Sequence, residues 1–397
     1  MLGERFYMVA KTFQGLEEVL AGEIRTLEAQ DIQILNRAVR FNGDLRILYA
    51  ANYRLRTALK VLVEIDSFEA KNDFDLYQGI QKIDWLRYMD TSMTLSVECV
   101  LNSDRFSHSQ FIAQRTKDAV VDQFRDKMRK RPSVDRENPD VRISIHIVDA
   151  KVTVLLDSSG LSLHKRGYRA QLHEAPVNEV LAAGLLLLAG WKGQGHLVDP
   201  MCGSGTFLIE GAMIAYNIQP GTFRSSFGFE RWKNFSPDLL TEVVDQIEER
   251  SDFPYRIVGA DKSAKSLLLA RESLRKTFLD KKVELQHEPA ESFVPPTGGG
   301  IMIVNPPYDE RIKTENISGL YRMIGDRLKQ HYQGYQAWVF SGNPDAMKAV
   351  GLHPARRIHM LNGSIECSFR MYDIYGGSKK AKYQKPLVKL KKPEQEK

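Results

Sequence analysis

Cysteine is scarce in this chain: 397 residues hold three, Cys99, Cys202 and Cys367, far apart and with no Cys-x-x-Cys pair. That spacing disfavours both a disulfide framework and a zinc or iron–sulfur site, so reduced thiols and no metal are expected. Long apolar runs are missing too. No stretch reaches the roughly 18 apolar residues that a spanning helix needs, and the longest, around Leu181 to Leu188, is interrupted by Gly184. The N-terminus lacks the uninterrupted apolar segment of a secretion signal, because Glu4 and Arg5 stand in it; a cytoplasmic location and no membrane partner are expected. There is no internal repeat and one low-complexity segment, the Lys-rich tail 378–397, which is too polar to bury and expected to be disordered. A general excess of one charge is also absent. The net charge of +6 resides in that tail, with its eight Lys and two Glu, and the rest of the chain balances.

What the chain does have is length for about two or three ordinary domains, and 43% hydrophobic residues for their cores. Residues 1–60 predict a strand at 6–9, a helix at 15–27, strands at 32–35 and 38–42 and a helix from Asp44, together a small α+β unit. Residues 61–157 predict an alternating strand at 94–100, a long helix at 109–129, and strands 142–148 and 151–156 joined in a hairpin at Asp149-Ala150. Within them, nine basic residues meet four acidic ones between Arg105 and Arg136, either a solvated helix face or a nucleic-acid contact. From 158 to 377 strands alternate with helices: 196–199 with 205–216, 256–261 with 264–278, then strands 301–304 and 337–341. That rhythm predicts a mostly parallel sheet covered on both faces. Strands 357–361 and 367–374, flanking Asn362-Gly363, predict an antiparallel hairpin that closes it. The expected fold class is α/β, a Rossmann-like domain preceded by an α+β region.

The strand His196 to Asp199 runs through Pro200, Met201, Cys202, Gly203, Ser204, Gly205 and Thr206 into an apolar helix. Glycines at such a turn let a ligand approach the backbone, and the helix N-terminus beyond offers N–H groups to an anion. A dinucleotide fingerprint would place a third glycine where Leu208 stands, with an acid about 20 positions on, and a P-loop would place a lysine after Gly205. Neither pattern fits. Close-packed turns also use glycine for structure alone, so the turn gains weight from Asp261, at the end of the next strand and just before a helix. A carboxylate there accepts both hydroxyls of a ribose, or else caps the helix. Glu288, beyond the strand VELQH, is placed to meet an adenine edge or to stand on the surface.

Strand 301–304 ends in Asn305-Pro306-Pro307-Tyr308. Consecutive prolines cannot continue a central strand, so the chain leaves the sheet there on a stiff backbone, which suits catalysis. The exocyclic amine of a base is conjugated with its ring and is a poor nucleophile. It needs acceptors for its hydrogens, and Asn305 supplies a side-chain carbonyl and Pro306 a backbone carbonyl. Tyr308 offers a face on which a flipped base stacks. The matching electrophile is a sulfonium methyl, which asks the protein for positioning rather than for a metal or a strong base. A bare turn after a strand is the other reading.

Several separated motifs in order make the chain resemble a known family: LHKRGYR at Leu163 to Arg169, Ala175-Pro176, Asn178-Glu179, DPMCGSGTFLIEGAM from Asp199, Asp261, and NPPYDER from Asn305. They resemble the THUMP-domain-containing RNA guanine-N2 methyltransferases of class I, closest to the bacterial enzymes of large-subunit (23S) ribosomal RNA. The resemblance implies S-adenosylmethionine at Asp199 to Thr206 and Asp261, with Glu288 near its adenine and Asn178 and Glu179 at its methionine end. It implies that Asn305 to Tyr308 receive the guanine. The segment Asn102 to His108, the helix after it and RPSV at Arg131 to Val134 are similar to a THUMP RNA-binding domain. Arg105, Phe106, His108, Arg115, Lys117 and Arg131 become candidate RNA contacts, with 23S rRNA or a large-subunit assembly intermediate as partner. There are two departures. Glu288 stands where relatives often place Asp, and some bacterial relatives carry a second methyltransferase domain, an activity not expected here. Transfer RNA guanine-N2 or adenine-N6 methylation uses the same chemistry and stays open, as does a silent RNA-binding or ribosome assembly factor.

Overall fold

A computed structural model describes residues 4–169, 176–307 and 316–374. Ala175, Tyr308 and the basic tail lie outside the described residues. The first half runs β1 (Phe6–Lys11), α1 (Glu17–Arg25), β2 (Gln30–Leu35), β3 (Ala38–Gly43), α2 (Leu45–Arg54), β4 (Lys60–Glu69), α3 (Asp73–Lys82), β5 (Thr94–Asn102), α4 (Ser109–Met128), β6 (Ser133–Val134), β7 (Val141–Val148) and β8 (Lys151–Asp157). Local chemistry sets the helix starts: the Asp44 carboxylate accepts the Ile47 N–H at 3.0 Å at the head of α2, and Asn72 accepts from Asp75 at 2.9 Å before α3.

All these strands form one sheet of eight, in the order β2-β3-β1-β4-β8-β7-β5-β6. The sequence pattern does not announce β4. Its pairing with β8 shifts between Glu64 and Asp66, and a bulge there breaks the alternation by which a strand is recognised. The consequence is architectural: β4 pairs with β1 on one side and β8 on the other. The expected boundary at 60/61 therefore falls at the start of a strand common to both units.

The second half runs α5 (Glu179–Leu188), β9 (His196–Asp199), α6 (Thr206–Ala215), α7 (Pro237–Asp245), β10 (Ile257–Asp261), α8 (Ala264–Lys276), β11 (Glu284–His287), β12 (Gly300–Val304), α9 (Ile317–His331), β13 (Tyr335–Ser341), α10 (Ala346–Ala349), β14 (Arg356–Asn362) and β15 (Ile365–Asp373). Its seven strands are ordered β11-β10-β9-β12-β13-β15-β14. The first five are parallel, and β15 runs antiparallel to both of its neighbours. Alternate side chains feed two cores. Leu197, Ile257, Ile301 and Ile303 pack with α5 and α6, while Val198, Val258, Met302 and Val304 pack with Tyr321 and Leu328 of α9. Strand order reverses between β9 and β12, which opens a crevice at their carboxyl ends.

The chain between α6 and β10 ties the halves together. Tyr49 of α2 stacks on Phe229 with ring centroids 4.3 Å apart, and its hydroxyl accepts the Ser236 N–H at 3.0 Å. Arg231 donates to the carbonyls of Asn138 and Pro139 at 3.0 and 3.2 Å. Among the described residues no helix is long and apolar enough to cross a membrane, and no group of three or more His, Cys, Asp or Glu side chains is placed to hold a metal ion.

Candidate functional site

The glycine turn sits at the carboxyl end of β9. Asp199 ends that strand buried, its carboxylate accepting the Met201 N–H at 3.1 Å. Burial pushes the Asp199 carboxyl up to about 8, against the Met201 hydrogen bond and with the help of the neighbouring Asp261 charge. The Cys202 N–H donates to the Ala260 carbonyl at 2.9 Å and the Gly205 N–H to the Cys202 carbonyl at 2.8 Å, which folds the turn against β10. Gly203 and Gly205 have φ of 53° and 79°, left-handed values that glycine adopts at least cost. They differ in surroundings: a Cβ on Gly205 would meet the Ala270 Cβ at 3.2 Å, whereas one on Gly203 would project into open space. The backbone over Gly203 is accessible to a ligand, and the N-terminus of α6 lies next to it.

Asp261 ends β10 beside this turn, and both of its oxygens are engaged by backbone. Oδ2 accepts the Gly203 N–H and Oδ1 the Ser263 N–H, each at 2.8 Å. The helix cap of α8 is Ser263, which accepts the Ser266 N–H, so Asp261 fixes the glycine turn instead and keeps further lone pairs for hydroxyl donors. Parallel pairing sets Asp261 level with His287, which places Glu288 one residue further along the same edge. Asn178 is a helix cap: its carbonyl oxygen accepts the Val180 N–H at 3.0 Å at the head of α5. Glu179 is buried and ion-paired with Arg169, whose guanidinium also donates to the Val177 carbonyl at 2.7 Å and reaches the Thr206 hydroxyl at 3.5 Å. Arg169 thus joins the head of α5 to the head of α6.

Neighbouring β12 delivers the proline corner to the same crevice. The pairing of Met302 with Val198 carries Asn305 just past the level of Asp199, on adjacent strands spaced about 4.8 Å apart. The Asn305 Oδ1 is buried and has no hydrogen-bond partner among the described residues. An unsatisfied buried carbonyl of this kind costs about 1–3 kcal/mol, so its lone pairs are available to a donor. Pro306 is buried and Pro307 half-buried beside it.

The motif reading gave no role to Arg169 or to the network next to it: Arg166 lies 3.5 Å from the buried carboxylate of Glu210, Tyr168 donates to Glu210 at 2.9 Å, and Arg166 donates to the Arg56 carbonyl at 2.6 Å. The signal was the run LHKRGYR, whose partners no spacing rule reveals. Of the candidate RNA contacts in the first half, Arg105, His108 and Arg131 are exposed. Arg115 lies over the Tyr77 ring at 4.3 Å and near Asp73, and Lys117 pairs with Asp118 at 2.6 Å. Phe106 corrects the expectation. It packs in the core with Ile112, Val120 and Ile147, and a ring held there is not presented to a base.

A twisted parallel sheet closed by an antiparallel hairpin, with a glycine turn and a strand-end carboxylate at its switch point, defines a class I methyltransferase, and its cofactor is S-adenosylmethionine. Residues 166–371 match the family described as RMKL-like, methyltransferase domain. Residues 70–157 match the THUMP domain and 7–62 the RlmL ferredoxin-like domain. The chain belongs to this RMKL-like methyltransferase family, with a THUMP domain ahead of its catalytic half. It is similar to slr0064 of Synechocystis sp., named as an RNA methyltransferase, with 38% identity over 92% of this chain and 96% of that one. It is 37% identical to the ribosomal RNA large subunit methyltransferase K/L of Syntrophotalea carbinolica over 91% of this chain, and spans 52% of that longer protein. The crystal structure of the methyltransferase SMU.472 complexed with SAH superposes with a TM-score of 0.84 at 29% identity, covering 94% of this chain and 99% of that one.

Proposed function

We propose that the protein methylates the exocyclic N2 amine of a guanine in 23S ribosomal RNA. The observation that carries this reading is the Asn305 Oδ1, buried in the crevice that the glycine turn borders and, among the described residues, without a hydrogen-bond partner. The donor set suits the cofactor: open backbone at Gly203, the carboxylate of Asp261, and Glu288 on the same edge. Bound S-adenosylmethionine supplies an electrophilic methyl on a cationic sulfur. The chain's own residues do the rest. Asn305 Oδ1 and the Pro306 carbonyl accept the two amine hydrogens, which turns the nitrogen lone pair toward the donor. Pro307 stiffens the corner so that both acceptors keep their places, and Tyr308 stacks on the base. Pro200, Met201, Cys202, Ser204 and Thr206 complete the turn around the cofactor, with Asn178 and Glu179 at its methionine end. RNA as substrate draws support from the THUMP match and from the names of the relatives. Arg105, His108 and Arg131 are its exposed candidate contacts, with Arg115 and Lys117 behind them on α4. We read the chain as an N-terminal unit (1–60), a THUMP domain (61–157), a methyltransferase domain (158–377) and a basic tail, acting in the cytoplasm without a metal.

The test is mass spectrometry of RNA nucleosides from a deletion strain, complemented with wild type or with Asn305→Ala. N2-methylguanosine should fall in the deletion and return with wild type alone. Retention of the full N2-methylguanosine signal in the deletion rules the proposal out, and loss of N6-methyladenosine instead transfers it to adenine.

A further inference from the structure

Sequence and backbone disagree where α8 ends. The Leu279 N–H donates to the Leu274 carbonyl at 2.9 Å and the Phe278 N–H to the Arg275 carbonyl at 3.1 Å, the paired bonds of a Schellman stop. Leu274 and Leu279 are both buried, which supplies the apolar contact that goes with it. The residue that makes this stop must turn left-handed, and glycine is the usual occupant. Here it is Phe278, at φ 56°. Packing does not offset the strain, because Phe278 is 80% exposed, more than any other large apolar side chain among the described residues. A local rule broken with no compensation inside the free protein points to a role outside it.

The surroundings say what kind. Arg271, Arg275 and Lys281 are exposed, and their side chains take part in no ion pair or hydrogen bond among the described residues. Arg275 sits in the last turn, where a cation complements the carbonyl end of a helix, but Arg271 stands a turn earlier and Lys281 beyond the stop. Lys276 and Lys282 are engaged, with the Arg169 carbonyl at 3.3 Å and the Tyr216 ring at 3.9 Å. On its inner face α8 sets Ala270 against Gly205, so the helix that walls the glycine turn carries these cations and one bare aromatic ring outward. Among the described residues, three unpaired cations within seven residues of a bare ring, against one exposed and unpaired acid, Asp280, match a polyanion with stackable rings better than an apolar protein face.

We infer that the end of α8 is an RNA-contact surface of the methyltransferase half: Phe278 stacks on an unpaired base, and Arg271, Arg275 and Lys281 hold the flanking phosphates. The inference rests on RNA being the substrate and adds a grip on the half that does the chemistry. Full-length wild type is compared with Phe278→Gly and with the triple variant Arg271→Glu/Arg275→Glu/Lys281→Glu. The readouts are binding of a labelled single-stranded RNA, methylation of transcribed 23S rRNA, melting temperature, and calorimetric titration with S-adenosylmethionine. Phe278→Gly should melt at or above the wild-type temperature while binding RNA about five-fold or more weakly. The triple variant should flatten the dependence of log affinity on log salt by about 2, with cofactor affinity unchanged in both variants. Wild-type RNA affinity in both variants overturns the surface and leaves the proposed function intact if wild type still methylates. A wild-type protein that neither binds nor methylates RNA overturns both.

Discussion

Asp199 is a carboxylic acid walled off from water, raised to about 8 by burial. Near neutral pH the free protein keeps it largely protonated. A cationic cofactor favours the ionised form, so binding S-adenosylmethionine should release a proton, and affinity should rise as pH climbs toward 8. Titrations in buffers of different ionisation heat read that proton directly; pH-independent affinity from about 6 to 8 would contradict the assignment. Folding responds with the opposite sign. An acid whose pKa is raised in the fold contributes its full stability below the unfolded value of about 4, and loses it as pH rises through the folded value. Asp199→Asn should therefore raise the melting temperature above pH 8 relative to wild type, and weaken the cofactor about tenfold. At this scale the sequence was most legible where covalent geometry dictates the outcome, as with the consecutive prolines after Asn305. It was least legible for Phe106, which stands among charged and polar neighbours and shows nothing of the core that receives it.

At the scale of elements, the glycine turn separates strain from access. Alanine at Gly205 forces a left-handed residue against Ala270 and should cost about 1–2 kcal/mol of stability, as chemical denaturation would show. At Gly203 the backbone penalty is similar but the new methyl enters open space, so cofactor affinity should fall as well. Equal cofactor binding by the two variants would argue against a ligand over Gly203. The heads of α5 and α6 depend on the Arg169–Glu179 pair. Removing the guanidinium strands a buried carboxylate, and Arg169→Ala should destabilise by about 3–5 kcal/mol, with Glu179→Gln in the same chain restoring part of it. A double variant no more stable than Arg169→Ala would show that the pair does not carry the cost. The strand–helix rhythm was readable because short, nearly continuous apolar runs alternate with longer helical stretches, and the closing hairpin because Asn362-Gly363 marks the turn between its two strands. β4 was not, because its pairing slips between Glu64 and Asp66, and Arg169 was not, because its partners are brought to it by the tertiary fold.

For the whole molecule, the contacts of Arg231 with Asn138 and Pro139 and of Lys233 with the Leu86 carbonyl at 2.9 Å hold the first half against the second. Loosening them with Arg231→Ala/Lys233→Ala should raise KM for RNA several-fold while leaving the cofactor dissociation constant unchanged, since neither residue borders the glycine turn. A KM equal to wild type would mean that RNA engages the halves independently. Order of motifs along the chain disclosed the modules, yet nothing in it disclosed that the first two are fused through a common strand. Taking β4 away would leave β8 as a naked edge with Val152, Val154 and Leu156 still facing a core, ready to recruit strands from other chains. A fragment confined to residues 70–157 is thus expected to clump unless it is supplied with the preceding segment, and the two modules are better treated as a single heritable part than as beads on a string.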